Sequence, residues 1–106
     1  LILYLSTTCR YCHESAPFYK RLLEKHSNDK NVKLIAVLPQ KIEESKEHLK
    51  SLGVNINDVY NAQLTSIGVR ATPTLLLVDE SGIVSEQWRG KLTEDKEKEV
   101  FEKLTS

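Results

Sequence analysis

Apolar residues fall either in unbroken runs or at spaced positions along this chain, and the two patterns predict different elements. Leu1 to Leu5 is a near-continuous apolar run, which suits a parallel strand covered on both faces and predicts a central place in a sheet. Val32 to Leu38, ended by Pro39, and Thr74 to Val78 have the same character. Glu80-Ser81-Gly82 then has turn chemistry, so Ile83 to Trp88 is expected to return as an antiparallel hairpin partner. Four strands result.

The spaced pattern predicts helices. From Arg10 to about His26, Ala16, Tyr19, Leu22 and Leu23 recur at helical intervals, with Lys20, Arg21, Glu24 and Lys25 on the other side. Pro17 removes a backbone donor within that run and should kink it, and Ser27-Asn28-Asp29 should end it. Ile42 to Leu52 is a charged amphipathic helix in which Glu43 and Glu47 can meet Lys46 and Lys50, and Gly53 closes it. Thr93 is placed to cap a last helix with Glu94 and Asp95 in its first turn and Val100, Phe101 and Leu104 on its buried side. Residues Val54 to Ile67 carry no clear period; they give at most a short extended piece at Val59 to Ala62 and a turn or two of helix before Gly68.

Strand, helix and strand in this order imply a right-handed crossover. The expected architecture is therefore α/β: a four-stranded mixed sheet, the first strand central, the last two strands a hairpin, and helices on both faces.

With 106 residues the chain is expected to form one small domain, residues 1–106, with a single core. Fifteen basic and fifteen acidic residues cancel, so no overall field favours nucleic acid or an anionic membrane as partner. The longest apolar run is far short of a membrane span, and no positively charged leader is visible. Because the sequence opens at Leu1, already inside a strand-like run, it is expected to be an excised or processed piece of a longer chain.

The two cysteines, Cys9 and Cys12, change the picture most. They follow the first strand and start the first helix, where unpaired N–H groups and the helix dipole favour a thiolate. They are too close together to staple a long loop. The spacing alone also serves zinc ribbons and haem attachment. Zinc needs about four ligands, and beyond His13, His26, His48 and scattered carboxylates there is no second cysteine pair. Cys9-Arg10-Tyr11-Cys12-His13 matches the c-type haem pattern, but the chain has no Met for an axial position and is rich in strands. A redox dithiol needs neither metal nor organic cofactor, since the sulfurs carry the electrons. Cys9, at the helix start, is then the exposed nucleophile, and Cys12, one turn in, the buried resolving thiol. Arg10 places a fixed positive charge beside them, which should favour the reduced form and push the potential toward the oxidising side; His13 adds to this when protonated.

Val69-Arg70-Ala71-Thr72-Pro73-Thr74 stands immediately before an apolar strand. A proline that begins a strand gives up no ladder bond, and Thr72–Pro73 is the candidate for a cis peptide, against the ordinary trans form that prolines favour in isolation.

Together, the strand, the Cys-x-x-Cys helix start, Pro17 and the run Gly68 to Thr74 resemble the thioredoxin superfamily over nearly the whole chain. The segment between the second strand and Pro73, and the run Thr72 to Asp79 with Gly82 after it, are most similar to the TlpA-like and ResA-like redoxins. The resemblance implies a thioredoxin-like fold without the N-terminal strand and helix of full thioredoxin. It also implies thiol-disulfide oxidoreductase activity, with Cys9 and Cys12 catalytic and Thr72, Pro73, Arg10 and Tyr11 contacting substrate. Protein thiols and disulfides, and a reductant or oxidant at a membrane, are the implied partners of a monomeric, extracytoplasmic protein. Leu3 and Thr8 stand where thioredoxin carries a buried acid and an active-site tryptophan, so no carboxylate at that position helps the proton transfer. The alternative reading is a thioredoxin-like module that delivers copper or haem, or only docks. Peroxidase chemistry lacks support, since Ser6-Thr7-Thr8-Cys9 does not reproduce the peroxiredoxin pattern. Trp88, Tyr4 and Tyr19 are expected in the core, and Arg70 either rims a substrate groove or is simply solvated.

Overall fold

Strand β1 (Ile2–Tyr4) is the spine of the sheet in the computed structural model, which describes residues 1–26 and 29–105. It pairs in parallel with β2 (Ile35–Leu38), Leu3 opposite Ala36, and antiparallel with the strand on its other side, Leu3 opposite Leu75. Leu3 and Ala36 are fully buried, and the flanking Ile2, Tyr4, Ile35 and Val37 are partly covered, so both sheet faces carry protein. That is why these runs alternate so little in sequence.

The chain leaves β1 through a loop into α1 (Arg10–Glu14), turns at Ser15, and continues as α2 (Ala16–His26). The expected single helix with a kink at Pro17 is thus two helices, divided two residues earlier. Pro17 falls in the first turn of α2, where a missing N–H costs nothing because that donor has no intrahelical partner anyway. The Ser15 carbonyl accepts from Phe18 and Tyr19 at 3.0 and 3.1 Å to start the new helix. Of the expected break at Ser27-Asn28-Asp29, Ser27 and Asn28 lie outside the described residues.

Helix α3 (Ile42–Ser51) ends at Gly53, which takes the left-handed φ of +80° that a residue with a Cβ adopts only under strain. Next comes β3 (Val59–Asn61), parallel to β2 at the outer edge, then a 3-10 turn at Leu64–Ile67. The sheet therefore has five strands where the sequence predicts four, in the order β3-β2-β1-β4-β5. Only Val59 of β3 is buried, and one buried residue sets no period.

Strands β4 (Thr74–Val78) and β5 (Val84–Arg89) form the expected hairpin. Asp79 shapes its turn, its Oδ1 accepting from the backbone N–H groups of Ser81 and Ile83 at 2.9 and 3.0 Å. The chain closes with α4 (Glu94–Thr105), capped by Thr93 Oγ1 accepting from Lys96 N at 3.4 Å. Helices α2 and α4 pack together: Phe18 and Phe101 meet edge to face at 5.9 Å between centroids, and Arg21 pairs with Glu97 at 2.8 Å. Tyr19 and Trp88 belong to the core as expected, and Trp88 Nε1 donates to Glu99 Oε1 at 3.0 Å. Among the described residues, no helix is long and apolar enough to cross a membrane.

Candidate functional site

The site lies where β1 ends and β4 begins. Tyr4 is opposite Thr74 in the antiparallel pair, so the loop leading to Cys9 and the turn holding Pro73 leave the sheet at the same end. Parallel β2 also ends there, and it contributes Pro39 and Gln40.

Cys9 is the N-cap residue of α1, with extended backbone, and is joined to Cys12 by a disulfide with the two Cα atoms 5.2 Å apart. The Cys12 backbone N–H donates to Cys9 Sγ at 3.1 Å, the bond a serine or aspartate oxygen makes in an ordinary N-cap. Cys12 is 4 % exposed, whereas Cys9 is only partly covered. A reagent from solvent therefore meets Cys9 first.

The loop before Cys9 is braced from β2. Gln40 uses both ends of its amide: Oε1 accepts from Thr7 N and Nε2 donates to Ser6 Oγ, each at 3.1 Å. Gln40 is itself held, since its carbonyl accepts from Asn61 Nδ2 at 2.6 Å. The sequence reading missed Gln40. Its position just past the C-terminal end of a parallel strand is the one signal that marks it, since sites in such sheets gather there.

Thr72–Pro73 is a cis peptide bond, as the sequence suggested. Thr74 Oγ1 donates to Ala71 O at 2.7 Å and Gly90 N to Pro73 O at 2.7 Å, which ties the turn to both its own start and the end of β5. Pro73 is buried, and Thr72 is partly exposed. An open cleft of about 340 Å³ has Ser6 on one wall and Arg70, Ala71 and Thr72 on another. Arg70 is thereby placed at the rim of a groove. The cysteines are not among the cleft's lining residues; the loop that carries Cys9 is, through Ser6.

The residues between the cysteines do not line this cleft. Tyr11 is 52 % exposed, so an uncovered aromatic ring stands beside the disulfide. Arg10 lies along the helix, its Nε 3.0 Å from Glu14 Oε2, and Glu14 also meets Lys91 Nζ at 2.9 Å. The Lys91 hydrogen bond first, and Arg10 second, hold the Glu14 carboxyl below the usual carboxylate range. Arg10 is thus answered by a carboxylate one turn away, which weakens its field at Cys9 compared with the bare charge the sequence suggests.

A family model described as Redoxin matches residues 1–104. No curated protein matches the chain. Among solved structures, StoA from Bacillus subtilis superposes with a TM-score of 0.75 at 18 % identity, covering 99 % of this chain and 80 % of that one. A thiol-disulfide isomerase from Corynebacterium glutamicum gives 0.77 at 13 % identity, with 99 % and 79 % covered. The exposed lipoprotein thioredoxin Etrx1 from Streptococcus pneumoniae gives 0.68 at 16 % identity, with 98 % and 81 % covered. At these identities the structural matches establish the thioredoxin-like α/β fold.

Proposed function

This chain belongs to the Redoxin family, and from that premise we propose that it is a thiol-disulfide oxidoreductase exchanging electrons between Cys9/Cys12 and protein disulfides. The observation that carries the reading is the N-cap cysteine: a partly exposed sulfur with a backbone N–H aimed at it from a buried partner sulfur's own residue. An N–H in that position stabilises negative charge on Cys9 when the bond opens.

In the reduced protein, Cys9 thiolate attacks one sulfur of a substrate disulfide. A mixed disulfide forms and the first substrate sulfur leaves as a thiolate that takes up a proton. Cys12 then gives up its proton and attacks Cys9 Sγ, which restores the internal disulfide and releases the second substrate sulfur. Two electrons pass from the protein to the substrate, with one proton supplied by Cys12 and the other by solvent; the reverse sequence oxidises a substrate dithiol. The cleft between Ser6 and Thr72 offers an extended substrate segment a place beside the loop of Cys9, with Arg70 at the rim and Tyr11 as an apolar contact. Strand-like pairing of this kind tolerates many sequences. Neighbours named as a thiol-disulfide isomerase and an exposed lipoprotein thioredoxin support protein partners and an extracytoplasmic setting.

Equilibration against glutathione buffers, followed by alkylation to count free thiols, tests the proposal. The expected result is one reversible two-electron couple involving both cysteines. A protein that holds metal or haem on Cys9 and Cys12 and shows no reversible couple would overturn it in favour of a delivery module.

A further inference from the structure

His13 on α1 and His48 on α3 stand 35 positions apart in sequence, yet their Nε2 atoms are 2.9 Å apart, with ring centroids at 4.8 Å and ring planes tilted by 43°. The same His13 nitrogen lies 3.1 Å from the carbonyl oxygen of Thr7. A carbonyl only accepts, so a hydrogen bond to Thr7 O places the proton on His13 Nε2, whereas a hydrogen bond donated by His48 leaves that nitrogen's lone pair facing the oxygen. Two electron-pair donors, His48 Nε2 and Thr7 O, thus lie within 3.1 Å of His13 Nε2.

We propose that His13 and His48 form a two-imidazole clamp for a borderline divalent transition-metal ion, Ni2+ or Cu2+ by its geometry, beside the Cys9–Cys12 disulfide.

Imidazole nitrogen binds such ions at about 2.0–2.1 Å, so a nitrogen separation of 2.9 Å corresponds to an N–metal–N angle of about 90°. That is a cis pair of a square-planar or octahedral ion, the geometry Cu2+ and Ni2+ prefer; tetrahedral Zn2+ needs the rings to part slightly. Thr7 O stands off the same nitrogen by a similar distance, at the spacing of another cis ligand. Binding requires the neutral imidazole. Among the described residues no third His, Cys, Asp or Glu completes a closed site, so the remaining positions belong to solvent. The clamp ties α1, with Cys9 at its N-cap and Cys12 in its first turn, to α3.

The experiment uses the full chain with its disulfide intact, which keeps the thiols from ligating and makes the outcome independent of the exchange reaction. Ni2+ is titrated calorimetrically into the wild type, His13→Gln and His48→Gln, each checked for a native circular-dichroism spectrum. The expected result is one ion per chain, binding weakened about 100-fold in either variant because the second ligand's local concentration is lost. Affinity should also fall as the pH drops through the imidazole range, and Ni2+ should raise the unfolding temperature of the wild type only. Unchanged affinity in both variants, loss in only one of them, or no binding by the wild type would each overturn the clamp.

Discussion

The backbone N–H of Cys12 donates to Cys9 Sγ across 3.1 Å, so Cys12 holds the Cys9 sulfur through its main chain while its own side chain stays buried. The two cysteines are unequal before any substrate arrives. In the reduced protein, one equivalent of a bulky alkylating reagent should modify Cys9 and spare Cys12, as read by peptide mass. Cys12→Ser should accumulate a mixed disulfide with a protein substrate, and Cys9→Ser should lose exchange by about 10³-fold or more. Equal labelling of the two thiols would contradict the assigned order.

Gln40 is the brace of the Cys9 loop. Its replacement by Ala leaves Thr7 N–H without its partner and frees Ser6, at a cost of about 1–2 kcal/mol in unfolding by urea. The turnover of a protein disulfide should drop by roughly 2- to 10-fold, because the loop no longer fixes Ser6 at the cleft it shares with Thr72. A stability loss with unchanged turnover would make Gln40 purely structural.

Trp88 joins β5 to α4 from inside the core, packed at 5 % exposure and bonded to Glu99. Trp88→Ala should destabilise by about 3–5 kcal/mol through the cavity it leaves. Trp88→Phe keeps most of the packing and should cost less. The Glu99 carboxyl, held below its usual range chiefly by the indole N–H, should move back toward it in the Phe variant, which carboxyl chemical shifts during an NMR pH titration would report.

His48 gives stability a pH dependence of definite sign. Its folded value lies below the usual 6.5, by burial first and by His13 second, so the unfolded chain takes up a proton more readily. The contribution is complete above 6.5 and is lost as the pH falls toward the depressed folded value. With a chelator present to exclude metal, urea midpoints of the wild type should decline over that window more steeply than those of His48→Asn. Parallel profiles would show that His48 titrates as it does in the unfolded chain.

The sequence alone determined the elements whose signal is local. Continuous apolar runs marked β1, β2 and β4 because a strand covered on both faces has no polar side to display. The spacing of Cys9 and Cys12 at a helix start, Thr93 as a cap, Gly53 as a stop and proline before β4 are likewise rules of a few neighbouring residues. Tertiary structure decided what depends on residues far apart. Strand β3 exists because β2 offers an unpaired edge, and Pro17 begins a helix because the Ser15 carbonyl turns to meet Phe18 and Tyr19. The meeting of Gln40 with Ser6 and Thr7 and of His13 with His48, and the cleft that Arg70 and Thr72 share with Ser6, have no trace in spacing. Each requires segments far apart in sequence that the sheet register brings to one side, and a register is fixed by pairing across the whole fold rather than by any segment on its own.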